Sequence, residues 1–493
     1  MMGKVFNILK IFFTLLILDI FMFIAVCIVN LLPSIYDRIE ADYGLPSITP
    51  VMWLEAFFII IAAVCAVWWG YELDRRNRRR VFLGGLLIWV SGLLICTFAS
   101  SFGIFVLGRI ITGIGIGAQM PAMYSVVADI IPPKFWSTEY ALLALLSALG
   151  NSTGNFISAF IAPMNIWGLG WKFPFLFFAL LSLVCFFLLL IIRLPQPGEN
   201  DPVIGDAIKS GMNYSYKIKV EDLPAIWKIP TNRYMVYLCF FAVIPGATLA
   251  AFLVYYMINN PFASFPIAIR TQTAAIFSGM VGVGYLLGTF FLGPVFDWLS
   301  FKNRTNRAKY TARMLYLSIP LLIIAFLFIQ PVDYNSLNLD LTAYNTETFD
   351  LNMWVYIVSE ILEQYPNFVV YFFCLFFGTF LAAVITINRT PALLQINLPE
   401  HQASGQSMLN LSDQVGKAFA FIVVIFVNYS TYLALHDRIT LFPIIISVLS
   451  FIPAAFWWSK IAQVTESDFA EKEKVLNERK SKSLQAGTQN EIV

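Results

Sequence analysis

The residues with chemistry to offer are few, and they stand in apolar company. Asp19, Arg109, Arg389, Asp413 and Lys417 all interrupt long hydrophobic runs. In hydrocarbon a charge costs about 2.5–3.5 kcal/mol even on insertion scales, so each needs a partner or a function. Asp413 and Lys417 are four residues apart and share one helical face. Arg389 precedes, and Asp413 follows, a turn near Pro399–Ser404. A helical hairpin would bring the two level, with Arg389 about 15 Å from the turn. With all three groups ionised the cluster is net positive and would meet an anionic group on a solute. An internal ion-pair network that only ties two helices together satisfies the same residues. Asp19 must face a polar interior, with Arg109 as its expected partner. A carboxylate at Asp19 or Asp413 that gains and loses a proton would couple protons to a conformational cycle. His401 and His436 fall between the apolar runs, so no histidine is expected as a buried carrier.

The elements that position these residues are membrane spans. Hydrophobic residues make up 59% of the 493 and charged residues 13%, with mean hydropathy +0.73. Soluble domains carry about 25% charged residues. Apolar runs long enough to cross a bilayer recur at 6–32, 51–70, 81–99, 103–128, 140–163 and 173–194, then at 234–258, 272–296, 313–330, 367–396, 406–429 and 439–459. The first run is too long for a signal-peptide core and reads as a retained span. The expected fold is all-α, with twelve transmembrane helices in two six-helix bundles, 1–194 and 234–460. A linker at 195–233 joins them, with a short amphipathic helix near Glu221–Lys228, and a tail follows at 461–493.

Arginines 75, 76, 78, 79 and 80 crowd the loop after span 2, and Lys302, Arg304, Arg307, Lys309 and Arg313 the loop after span 8. Alternate loops are poor in basic residues, and 331–365 has none. Basic loops stay in the cytoplasm, so both termini are expected there, in a plasma membrane. The stretch Met353–Glu363 reads as an amphipathic helix on the opposite surface. A net charge of +2 gives no reason to expect nucleic acid. Six cysteines without a C-x-x-C pair read as packing residues. The sequence shows no nucleophile–histidine pair, metal-ligand cluster or nucleotide loop, so neither an enzyme nor a cofactor is expected.

The halves echo each other. Gly70-x-x-x-Asp74 before basic residues recurs as Gly293-x-x-x-Asp297, and Pro121-Ala122 recurs as Pro391-Ala392. Gly70 would let two helices approach closely. Asp74 would face the N-terminus of span 11, where the helix dipole favours a carboxylate, and Asp129 would pair with one of the arginines. With Arg75, Arg78, Gly293 and Asp297 these form an expected cytoplasmic latch. Gly113, Gly115 and Gly117, following Arg109, thin one side of span 4 for close packing, and Gln119, two residues on, joins the solute-binding candidates.

Trp69–Arg80 resembles the loop signature of the major facilitator superfamily. Arg109-x-x-x-Gly113-x-Gly115-x-Gly117, Gly170-Trp171-Lys172 and Arg193-Leu194-Pro195 are similar to its sugar-porter and aromatic-acid/proton-symporter branches. Leu32-Pro33-Ser34-Ile35 resembles its spinster-like branch, although that branch's acidic residue in span 4 would fall at Gly117. The sugar-porter P-E-T-K-G segments are missing, as is an Asp-rich start to span 1. The resemblance implies a monomeric secondary transporter that moves a small organic, anionic or amphipathic solute by alternating access, with protons as a candidate coupling ion. A transporter-like receptor that binds the solute without moving it is the alternative.

Overall fold

The computed structural model describes residues 2–32, 35–46, 49–162, 166–192, 194–195, 197–201, 203–210, 216–337, 339, 351–434 and 442–490. Pro33, Ser34, Arg193, His436 and Arg438 lie outside the described residues. Spans 1 to 3 are Met2–Val29, Thr49–Arg75 and Arg78–Thr97. Span 4 consists of Phe102–Ile116 and Gln119–Ile130, and spans 5 and 6 are Trp136–Ile161 and Phe173–Ile191. Spans 7 to 9 are Pro230–Asn259, Ile267–Lys302 and Asn306–Leu327. Span 10 is Asn367–Ala382 with Val384–Ile396, span 11 is Gln402–Ala434, and span 12 is Phe442–Leu449 with Phe451–Asn490. Among the described residues nine helices are long and apolar enough to cross a membrane, and none forms a strand.

Local chemistry sets several boundaries. The Asn77 side chain accepts the N–H groups of Arg79 and Arg80 at 3.1 and 3.4 Å, so the chain turns sharply into span 3. Ser101 caps span 4 in the same way through Ile104. Span 4's glycines serve two neighbours. A Cβ at Gly115 would sit 2.4 Å from the Trp89 nitrogen of span 3, and one at Gly117 2.7 Å from the Ala62 carbonyl of span 2. Spans 4 and 10, which share the Pro-Ala repeat, are both interrupted near mid-course.

Two large apolar clusters divide the molecule. One gathers side chains of spans 1–6 and takes in Leu394 and Ala403; the other gathers spans 7–12. A small cluster of Ala141, Leu292, Phe296, Val384 and Ile387 seals the seam between span 5 and spans 8 and 10.

The tail expected at 461–493 is an extension of span 12 through its described residues. Span 12 continues as one helix to Asn490, because Phe469 and Leu476 are buried as it crosses the basic-loop face. The linker forms Gly205–Lys209 and Leu223–Lys228, and Ile204 and Ile208 pack on Leu476. Leu351–Gln364 is a helix burying Met353, Trp354, Ile357 and Ile361.

Candidate functional site

At the basic-loop end the halves hold each other by reciprocal caps. Helix N-termini carry free N–H groups and partial positive charge, so a carboxylate placed there is favoured. Asp74, at the end of span 2, accepts the N–H groups of Ala403 and Ser404 at 3.1 and 2.7 Å at the start of span 11. Asp297, in the last turns of span 8, accepts those of Ser137 and Thr138 at 2.7 and 2.8 Å at the start of span 5, and the Thr138 hydroxyl at 2.6 Å. The glycines bring the helices this close. A Cβ on Gly70 would stand 2.7 Å from the Ala403 carbonyl oxygen, and one on Gly293 3.0 Å from the Ala141 Cβ.

Arg78 binds three groups around this seam. It ion-pairs with Asp129, donates to the Pro399 carbonyl at 2.8 Å and lies 3.8 Å from Asp74. The other Asp129 oxygen accepts the Gly198 N–H at 2.7 Å, and Asn200 caps the carbonyls of Asp129 and Ile130. The linker is therefore built into the cluster. Arg75 is not drawn in: it is exposed and lies 4.0 Å from Glu72 of its own helix. Sequence reasoning named Asp297 without its partners, and the Gly-x-x-x-Asp repeat was the signal that could have supplied them.

A second, buried layer fixes the tail. Lys472 pairs with Asp201 at 2.8 Å, both almost fully buried, and reaches the carbonyls of Leu394 and Gln395. Arg479 bonds Glu400, and Asp468 accepts the Thr231 N–H at 3.0 Å. His401 is buried in the turn between spans 10 and 11. Desolvation holds its imidazole below the ordinary value, against the opposing pull of Glu400 and Asp222. It was expected in a loop between the apolar runs, and the tail helix covers the face where that turn lies.

Arg389 and Asp413 do meet, as an ion pair between spans 10 and 11. Lys417 lies one turn on, accessible, within electrostatic reach of both. Tyr124 of span 4 and Cys239 of span 7 lie within hydrogen-bonding reach of Arg389, and Tyr285 of span 8 bonds Thr386 beside it. Arg389 Nε and Asp413 Oδ1 have no partner among the described residues. With all three groups ionised the cluster carries one excess positive charge, and residues of both halves surround it.

In the first half the expected Asp19–Arg109 pair is replaced. Arg109, fully buried, pairs with Glu55 of span 2 at 2.9 Å and lies 3.9 Å over the Phe58 ring. Depth permits this pair and the rotation of span 4 completes it: Glu55 and Arg109 both lie about two turns from the ends of their helices opposite the basic loops, whereas Asp19 is deeper. Asp19 is buried, its Oδ1 has no partner among the described residues, and it lies within electrostatic reach of Glu139 of span 5. Gln119 is buried and donates to the Met22 sulfur at 2.8 Å, so its amide ties span 4 to span 1. Glu55, an acid inside an apolar run, was legible in the sequence and passed over.

A family model described as Major Facilitator Superfamily matches residues 12–359. The proton myo-inositol cotransporter hmit-1.2 of Caenorhabditis elegans is 28% identical over 29% of this chain and 25% of its own length. The gentisate transporter of Corynebacterium glutamicum is 30% identical over 31% of this chain and 33% of its own. The match thus spans a third or less of either relative. Among solved structures, the E. coli fucose:proton symporter FucP in its outward conformation superposes with TM-score 0.63 at 13% identity, covering 92% of this chain and 99% of that one.

Proposed function

Since the chain belongs to the major facilitator superfamily, we propose that it is a secondary transporter of a small organic anion, coupled to protons. The observation that carries this reading is the Arg389–Asp413–Lys417 cluster, net positive and bordered by Tyr124 of the other half. An anion entering it would meet the accessible ammonium of Lys417 beside the Arg389–Asp413 pair. The gentisate transporter's name supports an organic acid as cargo. The two relatives named for proton cotransport support a coupling proton, and the unpartnered Asp19 offers it a seat.

Bundles 1–194 and 234–460 would rock about this cluster, with 195–233 as the linker between them. The reciprocal Asp74 and Asp297 caps are engaged here, which corresponds to closure at the basic-loop end. Basic loops favour the cytoplasmic side, so this state would face outward across a plasma membrane.

Proteoliposome uptake tests the proposal. Labelled aromatic and aliphatic carboxylates are offered with and without an inward proton gradient. Accumulation that collapses when the gradient is removed is the expected result. Binding without uptake across the panel would replace it with the receptor reading.

A further inference from the structure

A cavity of about 630 Å³ opens at the basic-loop end, on the seam between the halves and away from the central cluster. Lys134 and Trp136 line it from the first half, Lys302, Arg304 and Arg307 from the second, and Lys472 from the tail helix. Glu466 is the one acid in its lining among the described residues. Lys472 is neutralised by Asp201. Lys134, Lys302 and Arg304 pair with no carboxylate among the described residues; they lie over the rings of Phe135, Trp298 and Phe469 at 4.9, 3.6 and 3.5 Å. Arg307 is 3% exposed and is held by Asp297, 3.8 Å from its Nη2, and by Ser300, to which its Nε donates at 2.8 Å. Lys134, Lys302 and Arg304 thus leave the cavity net positive even against Glu466, and a phosphate group would balance them.

The surroundings say what carries the phosphate. Phe301 is 80% exposed, Trp298 56% and Phe135 52%, all at span ends beside the lysines. Aromatic rings next to cations at the end of a span mark the level of lipid headgroups, and basic pockets between transmembrane helices take anionic headgroups. We propose that this cavity binds the phosphate of an anionic phospholipid, whose acyl chains lie along Phe301 and Trp298. Its ligands come from both halves, so the lipid bridges them only while this end is closed. Bound lipid therefore favours the closed state.

Native mass spectrometry of the full chain, titrated with phosphatidylglycerol and chain-matched phosphatidylcholine, tests this. Phosphatidylglycerol should be retained preferentially. A Lys134→Gln/Lys302→Gln variant should weaken that retention by about twenty-five-fold, since each lysine near an anionic headgroup contributes on the order of fivefold. A Lys228→Gln/Lys309→Gln variant, with the same net charge but altered outside the cavity, should retain it. Equal retention of the two lipids, or equal loss in the two variants, would overturn the site. Displacement of the lipid by millimolar inorganic phosphate would assign it to a free anion instead. Uptake need not be measured, so this outcome is independent of the cargo.

Discussion

The Asp74 carboxylate accepts the Ser404 N–H at 2.7 Å across the seam between the halves. Asp297 repeats the arrangement at Ser137 with the roles of the halves exchanged. Hydrogen bonds to an ionised group contribute about 1.5–3 kcal/mol. Asp74→Asn should therefore shift the closed-to-open ratio by about tenfold, and adding Asp297→Asn should shift it further. Spin-label distances between Arg79→Cys and Lys309→Cys at the basic-loop end measure this. An unchanged distribution in the double variant would mean that the caps do not hold the gate.

Gly70 tests the same seam through shape. A methyl group there meets backbone at 2.7 Å, the Ala403 carbonyl oxygen, so no side-chain rotation relieves it. Overpacking of this kind costs about 1–3 kcal/mol. Gly70→Ala should open the basic-loop end and slow uptake while membrane insertion stays normal. Gly84→Ala, which has nothing within 4 Å of its added Cβ, is the matched control.

The two-bundle fold was legible because hydrophobic length and the Gly-x-x-x-Asp repeat are local signals. The Asp74 cap was legible for the same reason, since its partner is whichever helix begins beside a glycine-thinned span. The Arg109–Glu55 pair was not. A helix that is apolar all round gives no periodicity from which to read its rotation, so sequence could place Arg109 in depth but not in direction. The Asp201–Lys472 pair escaped for another reason. Linker and tail are polar segments far apart in the chain, and only the folded bundles bring them onto one face.

Lys417 separates binding from scaffolding in the central cluster. Arg389→Gln strands a buried Asp413 carboxylate, and breaking a buried pair costs about 3–5 kcal/mol, so lost uptake there has two explanations. Lys417→Gln leaves the Arg389–Asp413 pair intact. It should raise the KM for an anionic solute by about tenfold, equivalent to 1.4 kcal/mol, with little change in melting temperature. Lower stability with unchanged KM would reassign the cluster to the structural network.

The tail strap predicts a rescue. Lys472 and Asp201 are both buried, so Lys472→Met alone leaves an uncompensated carboxylate and should destabilise by about 3–5 kcal/mol. Adding Asp201→Leu removes the stranded charge and should recover most of the loss. Melting of the single and double variants in detergent checks this. A double variant no better than the single would show that Lys472 acts through the Leu394 and Gln395 carbonyls rather than through Asp201.

His401 gives the strap a pH dependence. Burial lowers its folded-state affinity for a proton below that of the ordinary imidazole at 6.5, so the unfolded chain binds the proton more readily. Stability from this group is therefore complete above about pH 6.5 and is lost as pH falls below it. Asp222 and Glu400 oppose the shift, and Arg479 supports it. Removing the arginine's charge should therefore raise the imidazole's proton affinity and bring the folded and unfolded values together. Melting temperatures between pH 5 and 8 should fall on the acid side in the native chain. The slope should be flatter in His401→Gln, and intermediate in Arg479→Gln once that variant's lower baseline is subtracted. An identical acid slope in His401→Gln would assign the pH dependence to the carboxylates of the latch.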